Sequence, residues 1–132
     1  MQKSFEIEMR VRDYECDAQQ IVNHANYLRY MEITRHEFMR KLGATFKESH
    51  SMNIAPVVVR AELRYKTSLT PDDVFSSVLT VEKKGAKILF YQTIYRKSDT
   101  ALCCKGIVEV AIIVAGKLSR GDIFDEKLKE YL

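Results

Sequence analysis

One long helical pattern, over residues 23–42, limits what this chain of 132 residues can fold into. Its less polar residues recur every three or four positions, the spacing of one helix face. These residues are Tyr27, Tyr30, Met31, Thr34, Phe38 and Leu42. Asn23 suits the N-cap, and Gly43 suits a left-handed residue after the last turn. A helix with one apolar face needs a second layer to cover it, which the rest of the chain must supply.

The remaining pattern is that of strands. Residues 5–12 alternate apolar and charged, so they predict a first strand with one wet face. Residues 57–66 alternate in the same way. The predicted inner face of that second strand is Val57, Val59, Ala61, Leu63 and Tyr65. Turn signals then separate three further strands, predicted over residues 74–83, 87–96 and 101–114. Residues 44–53 fit either a helical turn or a loop, and the tail from Gly121 carries a weak helical pattern.

A strand, a helix and four strands joined by short turns predict an antiparallel meander with the helix on one face. This is an α+β architecture of two layers, and the length fits a single domain of residues 1–132. The sheet must end in edge strands whose backbone groups lack partners, and such edges favour pairing with a second copy. We therefore expect a homodimer or homotetramer, with its sites near the subunit boundary.

Composition and charge exclude several classes of protein. The chain is 46% hydrophobic and 30% charged, as a globular domain is, and its net charge of +3 is too small to indicate nucleic-acid binding. No apolar run approaches the roughly 20 residues that a membrane span needs. Three cysteines without a secretory signal predict reduced thiols and a cytoplasmic location. Cys16 is flanked by acids and is therefore a poor nucleophile, and the His and Cys spacing predicts no metal site.

The polar loop before the helix carries the candidate chemistry. It holds an acid, Asp17, and leads into a helix N-terminus, where backbone N–H groups lack acceptors and the helix dipole is positive. Such N–H groups can hold a developing oxyanion while the carboxylate attacks a carbonyl or activates water. The alternative is an ordinary exposed loop aspartate. For His24, a purely structural role near the helix start is the alternative, and its backbone N–H is a stronger candidate than its ring.

Residues 17–32 resemble the signature of hotdog-fold acyl-CoA thioesterases, in particular the 4-hydroxybenzoyl-CoA thioesterase branch. The run that carries the resemblance begins at Asp17, continues through Val22-Asn23-His24-Ala25-Asn26-Tyr27 and ends at Met31-Glu32. The segment Val11-Arg12-Asp13-Tyr14-Glu15 is similar to plant acyl-carrier-protein thioesterases of the same branch. Residues 58–66 with Pro71-Asp72-Asp73 are similar to the family's second strand and turn, so the resemblance covers nearly the whole chain.

The resemblance implies a hotdog fold, in which a curved antiparallel sheet wraps one long helix. It also implies hydrolysis of an acyl-CoA or acyl-carrier-protein thioester, with Asp17 as nucleophile or general base and His24 polarising the carbonyl. The substrate contacts that we predict are Asn23, Asn26, Tyr27 and Arg60, although Asn26 also fits a local structural role and Arg60 a solvated charge. Coenzyme A enters as part of the substrate, and no separate cofactor, nucleic acid or membrane partner is expected.

One departure from the family pattern, the role of Glu15 and two rival functions remain open at this point. Gln19 and Gln20 stand where relatives usually carry Gly, which restricts the loop. Glu15 is a possible second acid, with a solvated loop residue as its alternative. The rival functions are a non-catalytic acyl-CoA-binding subunit on the same scaffold and a hotdog 3-hydroxyacyl thioester dehydratase. The dehydratase pattern needs a catalytic His and an acid on the helix, and His24 and Glu37 lack its sequence context.

Overall fold

The computed structural model describes residues 2–120 and 122–132, apart from the side chains of Phe46 and Ile123. The elements in chain order are β1 (Phe5–Arg10), α1 (His24–Lys41), α2 (Phe46–Ser51), β2 (Ile54–Tyr65), β3 (Val74–Lys84), β4 (Lys87–Arg96), β5 (Leu102–Val114), β6 (Lys117–Ser119) and α3 (Asp125–Leu128). The predicted helix and strands therefore form close to their predicted bounds. Helix α2 occupies the undecided stretch, β6 was not predicted, and Gly121 lies outside the described residues. No described helix is long and apolar enough to cross a membrane.

Helix α1 begins and ends where its capping residues predict. The side chain of Asn23 accepts a hydrogen bond from the N–H of Ala25 at 3.0 Å, and Gly43 has a φ of +73°, in the left-handed region. Phe38 is fully buried, and its ring centroid lies 5.4, 6.3 and 4.8 Å from those of Phe5, Phe90 and Tyr131. The predicted apolar face of the helix is thus anchored to the sheet and to the C-terminal segment.

The sheet is antiparallel and has the order β1-β3-β4-β5-β2, with β6 paired to β5. The prediction of one continuous meander is wrong for β2, which lies beside β5 instead of β3. The physical reason is the connection over residues 66–73, which is longer than a hairpin turn and packs against the start of α1. Leu69 accepts a hydrogen bond from the N–H of Val22, and its own N–H donates to the hydroxyl of Tyr27. The connection therefore supports the helix start.

A β-bulge at Val59 divides β2 into two halves with opposite alternation. Val58 pairs with Val110 and Arg60 pairs with Glu109, so Val59 is the extra residue. Gly106 of β5 lies against Met31 of α1, which identifies the face of the sheet that is turned toward the helix. On that face of β2 lie Pro56, Val58, Ala61, Leu63 and Tyr65. The prediction that Val57 shares a face with Ala61 is wrong, because the extra residue reverses the alternation.

Strand β2 is an edge strand, and most of it is exposed. Val57, Val58 and Val59 are 43%, 48% and 51% exposed, which is high for three consecutive aliphatic residues in a strand. The outer side of β2 has no neighbouring strand among the described residues. A long apolar strand with an open edge is a surface on which another strand can pair.

Candidate active site

The loop that leads into α1 is held in shape by Glu15. Its backbone carbonyl accepts hydrogen bonds from the N–H of Asn23 at 3.0 Å and from the side-chain amide of Asn26 at 2.8 Å. Its carboxylate accepts from the N–H of Arg12 and from the hydroxyl of Tyr30. Burial and this carboxylate raise the pKa of Tyr30, so its hydroxyl remains a donor. Glu15 is therefore a structural tie between loop and helix and not the solvated acid of the sequence-based alternative.

Asp17 lies in the tight part of the same loop, between Cys16 and Val22, which form an isolated β-bridge. The backbone N–H of Asp17 donates to the carbonyl of Ile21 at 2.9 Å, and one carboxylate oxygen accepts from the N–H of Gln19 at 2.8 Å. The side chain is half-buried, and no described residue donates to its second oxygen. That oxygen remains open to a reacting group.

Gln20 occupies the position in this loop that most favours glycine. Its φ is +64°, in the left-handed region that non-glycine residues adopt at a cost of about 1–2 kcal/mol. The loop therefore holds Gln20 in a backbone conformation that this residue type disfavours. The hydrogen bonds around Asp17 and Glu15 supply the stabilisation that holds it.

His24 is the first residue of α1, and its backbone N–H points out of the helix start. Asn23 caps the N–H of Ala25, and the N–H of Asn26 donates to the carbonyl of Asn23. No described residue accepts from the N–H of His24. The exposed ring of His24 packs edge-on against that of Tyr65, with centroids 6.4 Å apart, and the Tyr65 hydroxyl donates to the His24 carbonyl. A free donor thus stands at the positive end of the helix dipole.

The other predicted substrate contacts divide into two groups. Asn23, Asn26 and Tyr27 lie at the helix start beside His24, and each makes a hydrogen bond inside the protein. Tyr27 is also buried, which raises its pKa. Arg60 lies apart from them, on the face of β2 turned away from α1, where it pairs with Glu62 at 2.7 Å and Glu109 at 3.8 Å. The structure therefore brings the helix-start residues together and leaves Arg60 elsewhere.

Cys16 lies in the same loop as Asp17 and is only partly buried. Burial, with the charges of Glu15, Asp13 and Asp17, raises the pKa of Cys16, which is the direction that the flanking acids predict. Among residues 2–120 and 122–132, no group of three His, Cys, Asp or Glu side chains is arranged to hold a metal ion.

A cleft of about 220 Å³ opens between α1 and the sheet, several turns beyond His24. Its apolar wall includes Pro56 and Val58 of β2 with Phe90 and Val110, and its polar wall consists of Glu32, Arg35 and His36 of α1. Burial lowers the pKa of His36, which favours its neutral form. The residues that line this cleft and the contacts of Tyr65 could not be predicted from the sequence, because both depend on residues that are distant in the chain.

Known proteins are similar to this chain in sequence and in architecture. Residues 11–132 match the family model of the thioesterase-like superfamily. The acyl-CoA thioesterase YbgC of Haemophilus influenzae is 32% identical over 120 residues, which cover 89% of this chain and 87% of that protein. The chloroplastic acyl-acyl carrier protein thioesterase ATL3 of Arabidopsis thaliana is 29% identical over 110 residues, covering 81% and 58%. The crystal structure of a hypothetical protein from Aquifex aeolicus aligns with a TM-score of 0.87 at 32% identity, covering 94% of this chain and 98% of that one.

Proposed function

The chain belongs to the thioesterase-like superfamily and has the hotdog fold, and from this premise we propose that it hydrolyses acyl-CoA or acyl-carrier-protein thioesters with Asp17 as its catalytic carboxylate. One observation carries the proposal. A half-buried carboxylate with an open oxygen and a helix-start N–H without an acceptor belong to one unit, tied together through Glu15. A thioester hydrolase without a Ser-His-Asp triad needs these two groups.

In the proposed reaction, the loop and the helix start supply different chemical groups. The N–H of His24 donates to the thioester oxygen and stabilises the negative charge that develops there. Asp17 acts in one of two ways. As a nucleophile its carboxylate attacks the carbonyl carbon, the thiolate leaves, and water hydrolyses the resulting anhydride. As a general base it takes a proton from a water molecule whose oxygen attacks the same carbon. Both routes give a carboxylic acid and a thiol.

The names of the relatives indicate which carriers of the acyl group to propose. YbgC is named for acyl-CoA and ATL3 for acyl-acyl carrier protein, so both carriers belong to the proposal. For coenzyme A, a contact between Arg60 and a phosphate stays a prediction. The existing ion pairs of Arg60 are with Glu62 and Glu109, so a phosphate would compete with those carboxylates.

The active form that we propose is a dimer paired through β2. The strand is 12 residues long, its three central valines are about half exposed, and its outer side is open. A two-fold axis makes such pairing antiparallel and self-complementary, so each end of β2 meets the opposite end of the partner strand. Tyr65, which contacts His24, then lies beside the Pro56 end of the partner strand. The site is therefore at the subunit boundary.

The decisive experiment compares Asp17→Asn with Asp13→Asn in a thiol-release assay on short, long and aromatic acyl-CoAs. Asp17→Asn removes the nucleophile or base and should lower kcat by roughly 10²–10⁴-fold. Asp13 is an exposed acid of the same loop, so its substitution should leave kcat nearly unchanged. Equal activity of the two variants would remove Asp17 from the mechanism. Mass spectrometry of a quenched single turnover separates the routes, because only the nucleophile route forms an acyl adduct on Asp17.

A further inference from the structure

The cleft beside α1 contains a buried cation that has no carboxylate partner. Arg35 is only 7% exposed. Its guanidinium donates to the side-chain oxygen of Gln92 at 3.0 Å, and the Gln92 amide donates in turn to the carbonyl of Met31 at 2.9 Å. The guanidinium is thus fixed in orientation by a neutral group. No carboxylate of the described residues lies within 4.0 Å of its nitrogens.

The guanidinium of Arg35 keeps hydrogen-bond donors that a ligand could use. Burial lowers the pKa of Arg35, and the negative charge of Glu32 offsets only part of that effect. An arginine has five N–H donors, and Gln92 accepts from one of its nitrogens. Arg35 also lines the cleft, and none of its nitrogens is a buried donor without a partner, so its remaining donors are accessible to a ligand. A purely aliphatic ligand would exclude water from these donors without accepting hydrogen bonds from them. An anionic group would accept those hydrogen bonds and pair with the charge.

The proposed dimer brings this cleft within reach of the reacting thioester. Arg35 follows His24 by eleven residues, about 16 Å along the helix at 1.5 Å per residue, which is too far for a short acyl chain bound to the same subunit. In the two-fold pairing, the Pro56 end of β2, which lines the cleft, lies beside the Tyr65 end of the partner strand. The thioester would therefore be held by His24 of the partner subunit, and the acyl chain would enter this cleft.

We propose that the cleft binds acyl groups that end in a carboxylate, with the guanidinium of Arg35 as the counterion, so that the preferred substrates are short dicarboxylic acyl thioesters. The proposal rests on the proposed thioesterase function. The apolar wall formed by Val58, Phe90 and Val110 holds the methylene part of the chain. The volume of about 220 Å³ is below the roughly 300–1,000 Å³ of drug-sized ligand pockets, which limits the chain to a short one.

The test compares adipyl-CoA with hexanoyl-CoA, which have equal carbon number and differ in the terminal carboxylate. The wild-type protein should prefer adipyl-CoA by at least about tenfold in kcat/KM, because a buried charge gains a charged partner. Met39 lines the cleft one helical turn after Arg35, and side chains four residues apart on a helix are neighbours. Met39→Glu should therefore occupy Arg35 and abolish the preference. Met39→Gln, of the same shape without the charge, should keep it.

Arg35→Met supplies a second measurement, in which the ratio of kcat/KM for adipyl-CoA to kcat/KM for hexanoyl-CoA should fall to about one. If this variant does not fold, the pair of Met39 variants decides alone. Equal kcat/KM for both thioesters in the wild type, or equal adipyl preference in Met39→Glu and Met39→Gln, would overturn the inference and leave the thioesterase function standing. Failure to release thiol from any acyl-CoA would instead overturn the proposed function.

Discussion

The two edges of the sheet differ in a way that indicates different uses. The edge strand β1 has six residues, and its exposed positions carry charges: Glu6, Glu8 and Arg10. The edge strand β2 has twelve residues and exposes three consecutive valines at its centre. Short, charged edges resist pairing with another strand, and long apolar edges invite it. The β1 edge of the sheet therefore resists pairing, and the β2 edge is suited to pairing with a second copy of the chain.

The strongest test of this difference places charge on the open edge. Lysine at both Val57 and Val59 would bring four added positive charges together in the proposed dimer. We expect the dissociation constant of the dimer to rise at least tenfold, which corresponds to about 1.4 kcal/mol. Light scattering after gel filtration measures the mass, and the thiol-release assay should show activity falling with it.

The matched control on the other edge is Glu6→Lys, which changes an exposed residue of β1. This variant should keep the mass and the activity of the wild type. A dimer that survives both β2 lysines and dissociates on Glu6→Lys would reverse the assignment of the two edges.

An intermediate effect on stability is expected at Gly106, which lies in β5, the strand that pairs with the edge strand β2. A Cβ at this position would come within 3.0 Å of the Met31 sulfur and within 3.2 Å of the carbonyl oxygen of Glu62. Gly106→Ala should lower the free energy of unfolding by about 1–3 kcal/mol, because the Met31 side chain and the β2 backbone at Glu62 both have to shift. Urea unfolding measures it. If the free energy of unfolding of this variant equals that of the wild type, β2 is held loosely enough in the single subunit to shift at no cost.

The smallest effect is expected at the charged edge. Glu8 pairs with Lys97 at 3.1 Å, and both side chains are more than half exposed, so solvent screens the interaction. Glu8→Gln should change the free energy of unfolding by no more than about 0.5 kcal/mol and leave the mass of the protein unchanged. A larger loss of stability that disappears in high salt would show that the charges of β1 stabilise the fold and do more than protect the edge.

The parts of the fold that sequence predicted are those with local causes. Helix α1 is bounded by Asn23 and Gly43, which act within one turn, and strand β4 lies between two tight turns. The bulge at Val59 could not be predicted, because the alternation of β2 continues through it in the sequence. The place of β2 beside β5 depends on contacts of Leu69 with the helix start, which are distant in the chain.

The candidate site follows the same division. Asp17 and His24 were identified from a local motif, and their catalytic roles stay predictions. From the sequence, Glu15 is interpreted as an exposed loop acid. Its partners Asn26 and Tyr30 are distant in the chain and reach it only on folding. Arg35 falls on the buried side of α1, next to Met31 and Thr34. A charged residue at such a position is normally assigned to solvent, and Gln92, fifty-seven residues later, provides its partner.

The bulge at Val59 has a consequence for how such a pocket changes between related proteins. If the bulge were lost with all residues retained, so that Val59 paired with Val110, simple alternation would return and the N-terminal half of β2 would turn over. Val57 and Ala55 would then form the wall of the cleft, and Pro56 and Val58 would point outward. One change of pairing would thus exchange several wall residues at once, an alteration of selectivity that the replacement of a single side chain in this strand cannot match.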